Sequence, residues 1–387
     1  MVRLGSFRFG ERELVRSLTV SHVLQRMARV LELQDVAHAR LLSMEGLRGL
    51  AVLLVFLQHY AYQMQSLSHL DGISRVVIAA LRSYGNLGVE LFFVLSGYLI
   101  YGTLVRRRPP FPQFMARRAE RLYPAFLASF GLYVVIHLVA PGSAKIPSDI
   151  VDAVLYIVAN MLFLPGLFPI TPLMSVTWSL SYEMFFYIAS AGLVGGLAMD
   201  RMTVRVRIGV ILGLFGGFLL ACAMFSWMPH RMMPFFAGML LAEGIGVTKW
   251  KVPAWLGLTS PPLALVVSQT VPMPGLLLEL MHSVAFFALC GACFSGGLAG
   301  RVFSWTPARW LGNMSYSYYL LHGMTVMAVS IVIAKFVGHA LPSWVVWALL
   351  PPTFLVSLVA PFVLYVLIER PISLRPRSAA PARAPAV

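Results

Sequence analysis

Apolar residues run along this chain in long blocks, separated by short runs rich in Pro, Gly and Arg. The blocks fall at roughly 44–65, 86–105, 119–140, 178–199, 207–228, 232–248, 254–271, 279–299, 311–334 and 344–368. At about 1.5 Å per residue each is long enough to carry a helix through most or all of a ~30 Å hydrocarbon layer. A transmembrane barrel would show alternating segments of about ten residues instead, and the sequence has none. The pattern predicts an all-α, polytopic integral membrane helix bundle of about ten transmembrane helices. Residues 150–165, "IVDAVLYIVANMLFLP", are also apolar but short. Counting them as a span would invert everything downstream, so they read as a short outer or re-entrant helix.

Charge supports this picture and adds an orientation. Of the 387 residues 59% are hydrophobic and 12% charged, with mean hydropathy +0.79; an ordinary soluble domain carries about 25% charged residues. The net charge of +15 would suit nucleic acid if it were patched on one domain, but it is spread over loops. Loops on the side of the termini hold 24 of the 30 Lys and Arg, the opposite side five, and Arg48 lies inside the first block. By the positive-inside rule both termini are cytoplasmic. No cleavable signal peptide is expected, since the first long apolar run begins after residue 43. Residues 1–43 form a basic cytoplasmic extension, either an amphipathic helix on the anionic inner leaflet or a floppy arm. The membrane domain occupies 44–371, and the Pro/Ala-rich tail 372–387 reads as disordered.

The polar residues within the apolar blocks carry the chemistry. A charged side chain inside a bilayer costs at least a few kcal/mol, so such residues are usually kept for a function. In "LRGLAVLLVFLQHY" Arg48 and His59 are eleven residues apart, three helical turns plus about 20° and about 16 Å of rise. They share one stripe, with Arg48 at the inner end and His59 in the outer half. By the same counting Glu90 lies near the outer end of its helix, Ser96 near the midplane, Glu183 at a depth comparable to His59, and His322 near the middle. His322 suits a structural hydrogen-bonding role as well as a functional one. Glu243, Glu279 and His282 lie near the ends of their blocks and read as interfacial.

The loop "RRRPPFPQFMARRAERLYP" holds six arginines and no lysine. Topogenic charge explains part of this, but a guanidinium is the group preferred for planar, multidentate phosphate recognition. Arg117, Arg118 and Arg121 would share neighbouring faces of a helix start and suit a multiply phosphorylated cytoplasmic donor. Cys290 and Cys293, embedded in "ALCGACFSGG", read as packing residues. No internal repeat, phosphate-binding glycine loop or metal-ligand spacing is present, and no metal is expected.

In order along the chain these motifs resemble those of acyltransferase family 3, membrane-bound O-acyltransferases of polysaccharides and lipopolysaccharides. The Arg, ten residues, His pattern is met by Arg48 and His59. "GVELFFVLSGYLI" resembles the second-helix motif through Glu90, Phe93, Ser96 and Gly97. "RRAERLYP" resembles the acyl-CoA-associated motif at Arg117, Arg118, Arg121 and Pro124. "TWSLSYEMFFY" resembles the Trp-Ser-Leu-x-x-Glu motif at Trp178, Ser179 and Glu183, and "SYSYYLLH" the late tyrosine-rich motif ending in His322. Glu45 stands where Asp is commoner.

The resemblance implies transfer of an acyl group, with acetyl expected, from cytoplasmic acyl-CoA to a sugar hydroxyl of an extracytoplasmic glycan or lipid-linked glycan. The setting would be the inner membrane of a bacterium, with membrane lipid around the bundle. His59 is the expected base, or the site of a transient acyl-histidine. Arg48 and the arginine loop would hold acetyl-CoA, Glu183 or Glu90 would orient the imidazole or bind the acceptor, and Ser96, Ser179 and Tyr123 would line the donor path. Trp178 and His322 fall to substrate binding or structural support. The alternative is a transporter of protons or a small acid, with His59 and Glu183 as a relay.

Overall fold

The computed structural model describes residues 25, 27–32, 39–83, 86–139, 145–225 and 227–374. The chain divides into two compact units, Met1–Ala37 and His38–Val387. In the first, residues 27–31 are helical; the amphipathic-helix reading of 1–43 otherwise lies largely outside the described residues, as does the tail beyond 374. All that follows concerns the second unit.

Its helices, in order, are α1 (Ala39–Leu67), α2 (Gly72–Ser83), α3 (Asn86–Arg107), α4 (Phe111–Val139), α5 (Ile150–Met161), α6 (Thr177–Gly196), α7 (Val204–Met224), α8 (Met233–Gly244), α9 (Ala254–Thr270), α10 (Gly275–Phe294), α11 (Gly297–Val302), α12 (Thr306–Asn313), α13 (Ser315–Phe336), α14 (Ser343–Ser357) and α15 (Val359–Leu364), which runs into a π-helical turn at Tyr365–Ser373. Among the described residues, the strands are two-residue pieces, Ser68–His69 and Leu341–Pro342, paired in parallel. The protein is all-α, and six stretches are long and apolar enough to cross a membrane: Gly72–Arg107, Phe111–Val139, Val204–Met224, Gly275–Phe294, Ser315–Phe336 and Ser343–Ser373. Helices α1 and α6 carry the polar residues discussed below, and α8 and α9 are short. Residues 150–161 form the expected short helix, its N-terminus capped by the Asp149 carboxylate, which accepts from the amides of Val151 and Asp152.

Two boundaries differ from the sequence reading. Helix α1 starts at Ala39 rather than 44, because "ARLLS" is good helix-forming sequence ahead of the apolar run. Helix α4 starts at Phe111 rather than 119. Pro109 and Pro110 stand just before it and Pro112 in its first turn, where a missing N–H costs nothing. Arg117, Arg118 and Arg121, read as sharing the start of a helix, lie within α4; Arg106 and Arg107 end α3, and the connection is only Arg108–Pro110.

Close backbone contacts fix the helices around the site. A methyl group added at Gly46, Gly49 or Gly312 would lie 1.7 Å from the Phe303 carbonyl oxygen, 2.0 Å from that of Ala308 and 1.8 Å from that of Glu45, respectively. Helix α1 is thus clasped by the segment 303–312, and the Arg309–Glu45 ion pair at 2.9 Å seals the contact. Gly97 and Gly238 bring α3 and α8 together in the same way, each within 2.3 Å of a carbonyl oxygen of the other helix if given a Cβ. Cys290 and Cys293 are buried and free in the tightly packed α10.

Candidate active site

Five helices close around one cavity of about 150 Å³. Arg48 of α1, Ser96 of α3, Arg118 and Arg121 of α4, Ser179, Glu183 and Tyr187 of α6, and Ser315, Tyr316 and Tyr319 of α13 supply its polar lining. Residues 179, 183 and 187 are four apart, so one stripe of α6 presents all three. Arg118 and Arg121 are three apart and share a face of α4 in the same way.

Each cation in the cavity is held. Arg48 Nε donates to Ser315 Oγ at 3.1 Å. Arg118 lies over the rings of Phe114 and Tyr187, 5.4 and 5.7 Å from their centroids. Arg121 lies over the Tyr316 ring and forms an ion pair with Glu369 at 2.6 Å. Glu183 accepts from Ser96 Oγ at 3.3 Å and from the Tyr187 hydroxyl. Three guanidinium groups and one carboxylate line the space, a charge excess suited to an anionic ligand.

The histidines lie beside this cavity and outside its lining. His59 Nδ1 is 3.0 Å from the Val55 carbonyl oxygen, and His322 Nδ1 is 3.1 and 2.8 Å from those of Tyr318 and Tyr319. A carbonyl only accepts, so in each neutral ring Nδ1 carries the proton and Nε2 the lone pair. The two rings meet at right angles with centroids 4.5 Å apart. Tyr318 stacks on His322, and Tyr319 touches it at 5.7 Å. The Tyr319 hydroxyl is 2.5 Å from Ser179 Oγ, so Tyr319 joins the arginine cavity to the histidine pair.

Several expected groupings do not form. Glu183, read as lying at a depth comparable to His59 and as either orienting its imidazole or binding the acceptor, faces the arginine cavity, and His59 meets Val55 and His322. Counting residues along each helix gives heights only relative to that helix's start, and packing shifts one helix against another. Arg117 stays out of the lining because the face of α4 turned inward is that of 118 and 121. Tyr123 donates to the Met161 carbonyl at 3.1 Å rather than lining the cavity. Trp178 lies under the Arg231 guanidinium at 5.2 Å, one residue round from Ser179. Glu90 is buried, with Oε2 3.3 Å from His282 Nδ1.

Glu243, Glu279 and His282, read as interfacial, are all buried. Glu243 takes a two-pronged contact from Arg207 at 2.6 and 2.8 Å and a hydrogen bond from the Tyr101 hydroxyl at 2.6 Å. The ends of α3, α8 and α10 are covered by neighbouring helices, so a position near a helix end is not an exposed one. Glu369 was missed altogether. Its signal was an acidic residue closing the apolar run "VLYVLIER". Among the described residues no three His, Cys, Asp or Glu side chains form a metal-binding group.

A family model described as an acyltransferase domain matches residues 41–366, a span that includes every residue of the cavity. The chain belongs to acyltransferase family 3. Members with curated names include the exopolysaccharide production protein ExoZ of Rhizobium meliloti (strain 1021), 28% identical over 316 residues covering 76% of this chain and 91% of ExoZ. The acyltransferase MdmB of Streptomyces mycarofaciens is 28% identical over 319 residues, covering 74% of this chain and 79% of MdmB. The peptidoglycan O-acetyltransferase OatA of Listeria monocytogenes is 26% identical over 337 residues, covering 72% of this chain but 48% of OatA. No solved structure matches the chain. As a member of acyltransferase family 3 it is an enzyme of the O-acyltransferase type.

Proposed function

We propose that this acyltransferase family 3 enzyme moves an acyl group, acetyl in the simplest case, from cytoplasmic acyl-CoA to a sugar hydroxyl of an extracytoplasmic glycan or lipid-linked glycan. Ten helices would cross the bacterial inner membrane with both termini cytoplasmic. The observation that carries the reading is the convergence of Arg48, Arg118 and Arg121 on one cavity that Tyr319 joins to the His59–His322 pair. The arginines offer forked donors to the phosphates of CoA. His59 Nε2, free to accept, takes the proton of the sugar hydroxyl while its oxygen attacks the thioester carbonyl carbon. The carbon–sulfur bond then breaks, and the thiolate leaves with the proton returned by His59. Relatives named for exopolysaccharide production and peptidoglycan O-acetylation support a glycan acceptor.

The test uses purified protein in nanodiscs with labelled acetyl-CoA and a panel of glycans. Wild type should transfer label or slowly hydrolyse the thioester. His59→Ala should still bind CoA but lose about 10²- to 10⁴-fold in rate, the usual weight of a general base. An Arg118→Glu/Arg121→Glu variant should lose CoA binding. Wild type that neither binds nor consumes acetyl-CoA or a longer acyl-CoA would sink the proposal.

A further inference from the structure

We infer that Glu369 is a positioning residue that aims Arg121 into the cavity. The inference rests on the reading of that cavity as the acyl-CoA site. Glu369 is completely buried yet lies 248 residues from its arginine partner in sequence. Its two carboxylate oxygens divide the work. Oε1 accepts from Arg121 Nη1 at 2.6 Å. Oε2 accepts from the Ser317 amide at 3.0 Å and from the Ser317 hydroxyl at 2.5 Å. The carboxylate is therefore pinned to α13 on one side and directs a guanidinium of α4 on the other.

An arginine carries five N–H donors in a rigid fork. Glu369 occupies one corner of that fork, and Tyr316 supports its face at 5.5 Å, so the remaining donors keep a fixed direction. Arg121 lines the cavity while Glu369 is absent from the lining: the acid holds the cation from behind and leaves the ligand side open. With Arg48 and Arg118 facing the same space, three cations repel one another. A buried anion behind one of them keeps the ligand-free cavity stable without blocking it, because a buried arginine with no partner is costly.

The local winding serves the same end. Glu369 lies in the π-helical turn Tyr365–Ser373, which contains Pro371. Proline has no N–H to give to the carbonyl four residues back, and Leu374 N bonds Glu369 O five residues back at 3.2 Å. Such wide turns are rare and concentrate at functional sites.

The test compares Glu369→Gln, Glu369→Asp, Arg121→Ala and the Glu369→Gln/Arg121→Ala double variant in nanodiscs, reading CoA affinity, KM for acetyl-CoA and kcat. Glu369→Gln should raise Kd and KM about ten- to a hundredfold, the weight of a charge-assisted hydrogen bond, with kcat changed less than about threefold. Glu369→Asp should recover part of the loss. The double variant should be no worse than Arg121→Ala, because both changes remove the same aimed donor. If Glu369→Gln fails to give folded protein, Ser317→Ala, which loosens the carboxylate without removing it, should show a smaller rise in KM at unchanged kcat. Wild-type KM in Glu369→Gln, or losses that add in the double variant, would overturn the inference while leaving the acyl-CoA reading intact. Absence of CoA binding by wild type would overturn both.

Discussion

His59 and Tyr319 stand on opposite sides of the step from cavity to chemistry. Tyr319→Phe keeps the ring against His322 but removes the hydroxyl that meets Ser179. The variant should fold normally and transfer acetyl about tenfold more slowly, the upper end of one neutral hydrogen bond. Ser179→Ala should show the same loss with no further effect in the double variant, as measured by single-turnover transfer. At this scale the sequence was informative about types and poor about partners. Arg48, Ser96 and Glu183 stood out as polar groups in apolar helices, which are costly unless used, Arg118 and Arg121 as members of an all-arginine stretch suited to phosphate, and Ser179 through its motif. Their pairings could not be seen. Ser96 meets Glu183 across 87 residues, Arg48 meets Ser315 across 267, and Arg121 meets Glu369 across 248. Nothing local in the sequence encodes those distances.

Helices were legible in place but not in height. Helical segments occur at all ten apolar blocks, because a long apolar run has few other ways to satisfy its backbone. The start of α4 was missed because Pro109, Pro110 and Pro112 read as a loop, whereas the first two stand just before the helix and Pro112 is in its first turn. That Glu183 meets Ser96 and Tyr187 rather than His59 was not legible, because sliding one helix by a turn changes no local pattern. What sets those heights is the close approach of backbones at glycine. Gly312→Val, forced against the Glu45 carbonyl, should cost about 1–3 kcal/mol as overpacking and lower the thermal midpoint in detergent. Gly131→Ala, which meets nothing within 4 Å, should leave that midpoint nearly unchanged.

For the whole molecule, the proposed orientation makes a direct prediction. In a protein with its three cysteines replaced, Lys145→Cys should react with a membrane-impermeant maleimide on intact cells. Arg301→Cys should react only after permeabilisation. Both positions are exposed, so reversed labelling would invert the topology. The all-α membrane class followed from hydropathy; the cavity did not, because it exists only where five separate helices meet. The clasp of α1 by the segment 303–312 also bears on how the protein is made. The ribosome finishes the helix that bears Arg48 about 250 residues before it reaches Ser315, a delay of roughly 10–50 s at 5–20 residues per second. During that interval the arginine has neither its hydrogen-bond partner nor the backbone that will grip the glycines beside it. The oldest part of the nascent chain must wait for one of the youngest, and until then the insertion machinery, not the enzyme, has to shelter the charge.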